Sequence, residues 1–260
     1  MSPFNKYICN MNKTIYQFWQ GVIPPEVQRE IDDLKAKAEK AGFKYEMYDL
    51  DRLLDDLKND TLHWDHVNRA SNLKESLLRM WKYLPISMAG SATSDFFRFW
   101  CLQNGGLYCD TDVICTTDEF PDFSEFKNGV WTTSEQTAIH NLNTCITWCD
   151  GDKGKEYSRI LTYLAATRLN QTWLGSFNDC KLNAEYLKHN KWSLIGYIGP
   201  GFVRNQLLAL YEEGIEVKRF DYKFSSSHDS KSILWHAGDG TWVNGGKGND
   251  NAQRKTGKAI

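Results

Sequence analysis

Residues 94–114 constrain the fold of this chain more than any other stretch, because they join a helical pattern, a glycine pair and a short apolar strand. Apolar side chains at Phe96, Phe97 and Trp100 recur at the spacing of a helix that lies on a core. The side chain of Ser94 suits an N-cap position, so we expect the helix to begin there. The pattern therefore predicts one buried helical face directly before the glycines.

The glycine pair Gly105-Gly106 should end this helix, because glycine readily adopts the left-handed conformation beyond a helix C-terminus. Residues 107–109 then form a short strand, which is followed by Asp110 and Asp112. Two carboxylates this close repel each other, and a divalent cation removes that cost. Their oxygens suit Mg²⁺ or Mn²⁺ rather than zinc. We therefore interpret the stretch as the centre of a metal-assisted active site.

The Asp-x-Asp spacing occurs three times in the chain, although chance predicts roughly one occurrence in a sequence of this length. The pair at 49 and 51 precedes a polar helix, and the pair at 150 and 152 lies in a glycine-rich segment typical of a surface loop. The pair at 110 and 112 follows an apolar strand, which favours it as the functional pair. The alternative for this pair is a capping aspartate with a solvated neighbour.

The length and composition are typical of a soluble globular protein, and a single domain of this length is normal for an α/β fold. The chain has 260 residues, of which 41% are hydrophobic and 25% are charged. We expect residues 1–243 to form a single domain and residues 244–260, which lack apolar periodicity, to form a flexible basic tail. The net charge of −2 argues against stable nucleic-acid binding.

Two further features concern the compartment. The sequence contains no run of eighteen apolar residues, so we expect no transmembrane segment. The seven cysteines are odd in number and lack the paired spacing of zinc sites, which favours a reducing, cytoplasmic location.

The rest of the chain predicts alternating strands and helices, and its first three elements predict a parallel β-α-β unit. Strands are expected at 13–19, 43–48, 129–133, 144–148, 215–220 and 232–236. Helices are expected at 26–41, 51–58, 73–83, 157–169, 180–188 and 206–211. Residues 88–93 are small, and we expect them to be a flexible lead into the central helix.

Three polar or aromatic side chains outside the aspartate pair are functional candidates. Asp95 and Arg98 are spaced i, i+3, so both project from one helix face. The alternative for them is a surface ion pair, which is worth at most about 1 kcal/mol. Trp19 follows the first strand and suits stacking on a base, although a core tryptophan is the alternative.

Together these residues resemble glycosyltransferase family 32, which includes capsular-polysaccharide transferases. The central series comprises Ser94, Asp95, Arg98, Gly105, Gly106, Tyr108, Asp110 and Asp112. The opening series comprises Lys13, Ile15, Gln17, Trp19, Gly21 and Pro24, with Tyr16 where the family usually has a histidine. Gly199-Pro200 matches a later element of the family. The central series is specific, and the others are weak.

The resemblance implies a fold and an activity. The fold is α/β of the GT-A type, with a mixed, mostly parallel central sheet flanked by helices. The activity is hexosyl transfer with retention of configuration from a UDP- or GDP-sugar, with Mn²⁺ or Mg²⁺ as cofactor. The acceptor would be a glycan or a lipid-linked saccharide, as in polysaccharide biosynthesis.

The resemblance also implies residue roles by position. Trp19 would stack on the donor base, and Asp95 and Arg98 would hold the sugar hydroxyls. Asp110 would contact the ribose or the sugar, and Asp112 would bind the metal. The catalytic candidates are therefore the carboxylates at 95, 110 and 112 and the guanidinium at 98.

The resemblance implies further donor and metal contacts, at positions that align less closely with the family. Tyr108 and Asn143 would belong to the donor site, and Trp242 would form a lid over the diphosphate. His236 would join Asp110 and Asp112 as a metal ligand or contact a phosphate. The alternative for His236 is an ordinary loop histidine.

Two other functions stay open at this point. In a haloacid-dehalogenase-like phosphatase, an apolar strand also ends in Asp-x-Asp, and Asp110 would be the nucleophile. That loop normally lies near the N-terminus, and the reading leaves Asp95 and Arg98 unexplained. A non-catalytic sugar-binding module with exposed tryptophans is the second alternative.

Overall fold

The computed structural model describes residues 11–59, 68–134, 142–190, 196–220, 224–225 and 232–236. Trp242 and the tail at 244–260 lie outside these ranges, so their proposed roles, and the domain boundary at 243, stay predictions. Among the helices within these ranges, none combines the length and the apolar character needed to cross a bilayer.

The described residues form nine strands and seven α-helices. The strands are β1 (Thr14–Phe18), β2 (Lys44–Tyr48), β3 (Gly106–Cys109), β4 (Val113–Cys115), β5 (Gly129–Ser134), β6 (Leu142–Asp150), β7 (Val217–Arg219), β8 (Phe224–Ser225) and β9 (Leu234–His236). The helices are α1 (Pro25–Lys40), α2 (Leu50–Asn59), α3 (Asn68–Tyr83), α4 (Ile86–Cys101), α5 (Gly151–Trp173), α6 (Phe177–His189) and α7 (Pro200–Glu212). The predicted strands, and the helices α1 and α2, lie within one or two residues of their predicted ends. Helices α3, α5, α6 and α7 begin three to six residues earlier than predicted.

The central sheet has six strands in the order β2-β1-β3-β6-β5-β7. β1 pairs in parallel with both β2 and β3, and β5 pairs in parallel with β7. β6 is antiparallel to both of its neighbours, β3 and β5. Five strands therefore end, and β6 begins, at the same edge of the sheet. This mixed, mostly parallel sheet confirms the predicted fold class.

Alternate residues of the strands face two separate cores, as the period of two in a β-strand requires. Ile15 and Leu107 belong to a core that is covered by α1 and by an aromatic segment after β4. Tyr16 and Tyr108 belong to a second core, which is covered by helices α2 to α7. The sheet is thus flanked by helices on both faces.

The start of α4 was predicted wrongly. The helix begins at Ile86, directly after Pro85, and Ser94 lies in its interior rather than at its N-cap. Ala89, Ala92 and Thr93 are completely buried, because their small size lets α4 pack closely against its neighbours. The small residues that favoured a flexible lead are therefore a packing surface.

The glycine pair does end the helical segment as predicted. A short 3-10 turn follows α4, and Gly105 ends it with a φ of +78°. Gly106 has a φ of +110°, and a Cβ atom there would lie 2.6 Å from the carbonyl oxygen of Thr14. Gly106 therefore allows β3 to approach β1 closely.

The predicted surface loop around Asp150 and Asp152 was also wrong. Asp150 is the last residue of β6, and its carboxylate accepts a hydrogen bond from the backbone N–H of Asn128 at 2.9 Å. Asp152 is exposed in the first turn of α5. A Cβ atom at Gly154 would lie 2.7 Å from the carbonyl oxygen of Gly129, so this glycine permits close packing of helix on sheet.

Candidate active site

The two carboxylates of the central motif lie on a tight turn at the edge of the sheet where β3 ends. The backbone N–H of Asp110 donates to the carbonyl of Cys145 at 2.8 Å, which extends the pairing of β3 with β6. The carbonyl of Asp110 accepts from the N–H of Val113 at 3.1 Å and closes a turn across Asp112. The turn holds Asp110 and Asp112 side by side at this edge.

A second, smaller sheet brings a histidine to this turn. Its strands have the order β4-β9-β8, and β9 is antiparallel to β4, with His236 paired to Val113. The Nε2 atom of His236 lies 3.1 Å from Oδ1 of Asp112 and 3.5 Å from Oδ2 of Asp110. One ligand atom from each of these three side chains lies within 4.8 Å of the other two.

The donor chemistry of this triad fits a divalent cation. Carboxylate oxygens are the preferred ligands of Mg²⁺ and Mn²⁺, and an imidazole nitrogen is a common ligand of transition metals. Burial alone would lower the pKa of His236, but the charge and hydrogen bond of Asp112 and the charge of Asp110 raise it to about 9. The imidazolium thus occupies the place that a cation would take, and metal binding there would release its proton.

Arg98 on α4 connects the motif to a second carboxylate. Its Nη2 atom lies 2.8 Å from Oδ1 of Asp95 and 3.2 Å from Oδ1 of Asp110. Its Nη1 atom donates to the hydroxyl of Thr144, and its guanidinium lies 4.9 Å from the centre of the Tyr108 ring. The side chains of Arg98 and Asp95 are 6% and 8% exposed, which excludes the surface ion pair that was the alternative.

Charge in this cluster is unevenly balanced, because one guanidinium serves two carboxylates. Burial raises the pKa of Asp95 to about 6, since the nearby Arg98 offsets this effect only partly and Asp110 adds to it. Burial alone would lower the pKa of Arg98, but the surrounding carboxylates raise it well above its ordinary value. Arg98 therefore stays charged, and the site carries excess negative charge that a cation would offset.

Tyr108 orients Asp110 from within the core. Its hydroxyl donates to Oδ1 of Asp110 at 2.6 Å, and it lies 2.6 Å from the hydroxyl of Ser94. The proton of the phenol is used by the carboxylate, so Ser94 donates to the phenol oxygen. Tyr108 is completely buried, which places it behind Asp110 rather than at the surface of the edge.

The first residues of β6 also belong to the site, and their pairing with β5 is irregular. The register shifts between Thr132 and Thr133, and the hydroxyls of both donate to the carbonyl of Asn143, at 2.8 and 2.7 Å. Asn143 in turn accepts at its side chain from the N–H of Cys145 at 3.1 Å. Such bulges redirect side chains, and here Thr144 contacts Arg98.

Trp19 lies at the same edge, directly after β1. Its backbone N–H donates to the carbonyl of Tyr48 at 2.9 Å, and its indole is partly buried. The indole Nε1 is buried and has no hydrogen-bond partner among the described residues. Because β1 pairs in parallel with β3 at Tyr16 and Tyr108, Trp19 lies at the same edge of the sheet as the end of β3. Its role in stacking on a base stays a prediction.

The structure thus joins six of the predicted residues in one network. They are Asp95, Arg98, Tyr108, Asp110, Asp112 and His236. Sequence reasoning missed Thr144, whose hydroxyl accepts a hydrogen bond from Arg98. It also missed that Gln17 donates to the backbone carbonyl of Asp110 and that Tyr45 donates to Gln17. The available signal was the amide side chain of Gln17, which lies between two aromatic residues of the predicted first strand.

No protein-family model matches the chain, and no curated protein does either. Among solved structures, the chain is similar to a glycosyltransferase involved in the glycosylation of the major capsid of PBCV-1, with 11% identity and a TM-score of 0.45 over 92% of this chain and 99% of that chain. It is also similar to the PaToxG glycosyltransferase, with 16% identity and a TM-score of 0.38 over 79% of each chain. Both TM-scores are too low for these similarities to support a function. The functional proposal therefore rests on the geometry of the site.

Proposed function

We propose that this protein is a metal-dependent glycosyltransferase that moves a sugar from a nucleotide-sugar donor to an acceptor hydroxyl. The observation that supports this proposal is the convergence of Asp110, Asp112 and His236 at the carboxyl edge of the sheet, beside a buried ion pair. In open α/β sheets, ligands bind outside the carboxyl ends of the strands. A divalent cation would offset the negative charge of this edge and would let a nucleoside diphosphate bind beside the carboxylates.

The three residues of the triad would hold the cofactor. A bound Mn²⁺ or Mg²⁺ supplies Lewis-acid stabilisation of the negative charge on the departing diphosphate. The imidazole of His236 favours Mn²⁺ over Mg²⁺, because Mg²⁺ prefers an all-oxygen environment. Asp112 and Asp110 contribute the two hard oxygen ligands.

The buried pair beside the triad would bind the transferred sugar. Arg98 offers charged N–H donors, and Asp95 offers carboxylate acceptors, so together they can recognise adjacent hydroxyls. Arg98 also fixes one oxygen of Asp110 and leaves the other facing His236. Transfer with retention of configuration is part of the proposal, and no side chain is assigned as a covalent nucleophile.

The remaining donor contacts extend the proposal along the same edge. Trp19 would stack on the base of a UDP- or GDP-sugar, Asn143 would lie near the sugar, and Trp242 would cover the diphosphate. Tyr108 would act through Asp110, because it is completely buried. A glycan or a lipid-linked saccharide is the proposed acceptor, and polysaccharide synthesis in the cytoplasm is the proposed context.

Hydrolysis of UDP- and GDP-sugars with Mn²⁺, with and without EDTA, tests the proposal. We expect Mn²⁺-dependent release of nucleoside diphosphate that is lost in Asp112→Asn. The matched control is Asp152→Asn, which changes an exposed aspartate of another Asp-x-Asp pair and should retain wild-type turnover. Equal turnover of wild type and Asp112→Asn would contradict the metal role.

The same protein samples separate the two alternatives. Rapid Mg²⁺-dependent release of phosphate from a generic phosphate ester would favour the phosphatase, in which Asp110 is the nucleophile. Binding of glycans without metal or nucleotide, measured by calorimetry, would favour a non-catalytic sugar-binding module.

A further inference from the structure

Gln17 is a completely buried polar residue of β1, and its side chain contacts the turn at 110–113. Its Nε2 atom donates to the backbone carbonyl of Asp110 at 3.0 Å. The same carbonyl accepts from Val113 to close the turn across Asp112. A side chain from the neighbouring strand therefore contacts the backbone carbonyl that closes this turn.

The direction of these hydrogen bonds is fixed by chemistry. A backbone carbonyl only accepts, so the amide group of Gln17 must turn its NH₂ toward Asp110. Its Oε1 atom then faces the opposite way and accepts from the hydroxyl of Tyr45 on β2. Burial raises the pKa of Tyr45 well above its ordinary value, so the hydroxyl stays a donor. The chain of donors runs across three strands, from β2 through β1 to the end of β3.

We propose that Gln17 and Tyr45 are positioning residues that set the spacing of Asp110 and Asp112 for a divalent cation. The proposal rests on the metal site of the proposed function. The turn at 110–113 lies at the edge of the sheet, and its carboxylates repel each other when no cation is bound. The bond from Gln17 ties this turn to the rigid centre of the sheet. Residues that orient metal ligands commonly change metal affinity or activity about 10- to 100-fold when they are replaced.

Two substitutions remove the contacts with little change of shape. Gln17→Met keeps the length of the side chain but donates no hydrogen bond to Asp110. Tyr45→Phe keeps Gln17 in place and removes only the donor that fixes the amide orientation. We expect Gln17→Met to weaken Mn²⁺ binding roughly 10- to 100-fold. The expected loss in Tyr45→Phe is about fivefold, the equivalent of one neutral hydrogen bond.

Each variant has a matched control at a site that does not contact the turn. Gln103 is a buried glutamine whose Nε2 donates to Thr162 at 3.2 Å, so Gln103→Met matches the loss of a buried amide. Tyr48 lies on β2 with Tyr45, and its hydroxyl donates to Asp56 at 2.8 Å, so Tyr48→Phe matches the loss of a hydroxyl. Both controls should lower stability without changing the affinity for Mn²⁺.

The readout is binding of Mn²⁺ alone, measured from the electron paramagnetic resonance signal of free Mn²⁺, together with thermal unfolding of each variant. Weaker binding in Gln17→Met and Tyr45→Phe than in their controls, at similar loss of stability, supports the proposal. If Gln17→Met does not fold, the comparison of Tyr45→Phe with Tyr48→Phe decides.

Asp112→Asn distinguishes the two ways in which the proposal can fail. If Asp112→Asn loses Mn²⁺ binding while Gln17→Met and Tyr45→Phe match their controls, the positioning role is wrong and the metal site stands. If Asp112→Asn binds Mn²⁺ like the wild type, both the metal site and the positioning role are wrong.

Discussion

His236 pairs with Val113 across the antiparallel ladder of β4 and β9, and this pairing places its imidazole 3.1 Å from the carboxylate of Asp112. The third member of the candidate metal site is therefore positioned by backbone hydrogen bonds rather than by a loop. A residue far along the chain thus joins the turn at 110–113 because β9 adds to β4. Its contribution to metal binding can be measured separately from that of the aspartates.

Replacing His236 with Ala should weaken Mn²⁺ binding by at least the roughly 10- to 100-fold typical of losing an outer-shell partner, because a direct ligand is removed. A titration of Mn²⁺ by calorimetry at constant pH measures the change. His189→Ala is the matched control, since this histidine is 80% exposed and lies 3.8 Å from Glu185. Equal affinity in both variants would show that His236 is not a ligand.

Arg98→Met should strongly destabilise the fold, because it leaves the carboxylates of Asp95 and Asp110 without their shared cation. Removing one partner of a buried pair typically costs about 3–5 kcal/mol. Arg159→Met is the matched control: Arg159 and Glu156 have the same i, i+3 spacing, but they are 55% and 50% exposed. The control should change stability by less than about 1 kcal/mol. Urea unfolding of both variants gives the comparison, and similar costs would mean that burial of the Arg98 pair is unimportant.

The sequence was sufficient for elements with a clear hydrophobic period. β1, α1 and β2 lie within one or two residues of their predicted ends, because alternation and the 3.6-residue period identify their buried faces. The beginning of α4 was not predictable in this way. Its first turns contain small residues, which have little hydrophobic signal even though Ala89 and Ala92 are completely buried.

The same division applies to the candidate site. Asp95, Arg98, Asp110 and Asp112 were found because they lie close together in one motif with a characteristic spacing. Thr144 and Tyr45 were not found, because their contacts depend on strand order and on a register shift in β6. Pairings between distant segments leave no local pattern, so the residues that hold the motif in place become visible only in the folded chain.

Asp95→Asn should gain stability relative to the wild type as the pH rises from about 4 to about 6. The folded-state pKa of Asp95 is about 6, above its ordinary value of 3.8, because burial disfavours the charged form. A raised carboxyl pKa stabilises the fold at low pH, and this contribution is lost as the pH rises through the folded-state pKa. The shift of about two units corresponds to about 3 kcal/mol.

Urea unfolding of both proteins without metal, at several pH values across this range, measures that difference. Asp179→Asn is a control of opposite sign, because hydrogen bonds from Ser176 lower the pKa of Asp179. There the wild type should lose stability relative to the variant as the pH falls. A difference between Asp95→Asn and wild type that is independent of pH would contradict the raised pKa.

Tyr108→Phe removes the hydroxyl that links Ser94 to the carboxylate of Asp110 and keeps the ring beneath Arg98. A hydrogen bond to a charged group contributes about 1.5–3 kcal/mol, so the variant should lose stability by about this amount. Asp110 would also lose one of the two donors that fix its Oδ1 atom. We therefore expect lower turnover of the nucleotide sugar together with weaker Mn²⁺ binding.

Tyr157→Phe is a close control, because Tyr157 is also completely buried and its hydroxyl has no hydrogen-bond partner within the described part of the chain. Removing a buried hydroxyl that makes no hydrogen bond should be neutral or stabilising. Thermal unfolding and Mn²⁺ titration of the two variants then separate the loss of a tyrosine hydroxyl from the loss of its bond to Asp110. If both variants behaved alike, Tyr108 would contribute through packing alone, and Asp110 would be held by Arg98 without its help.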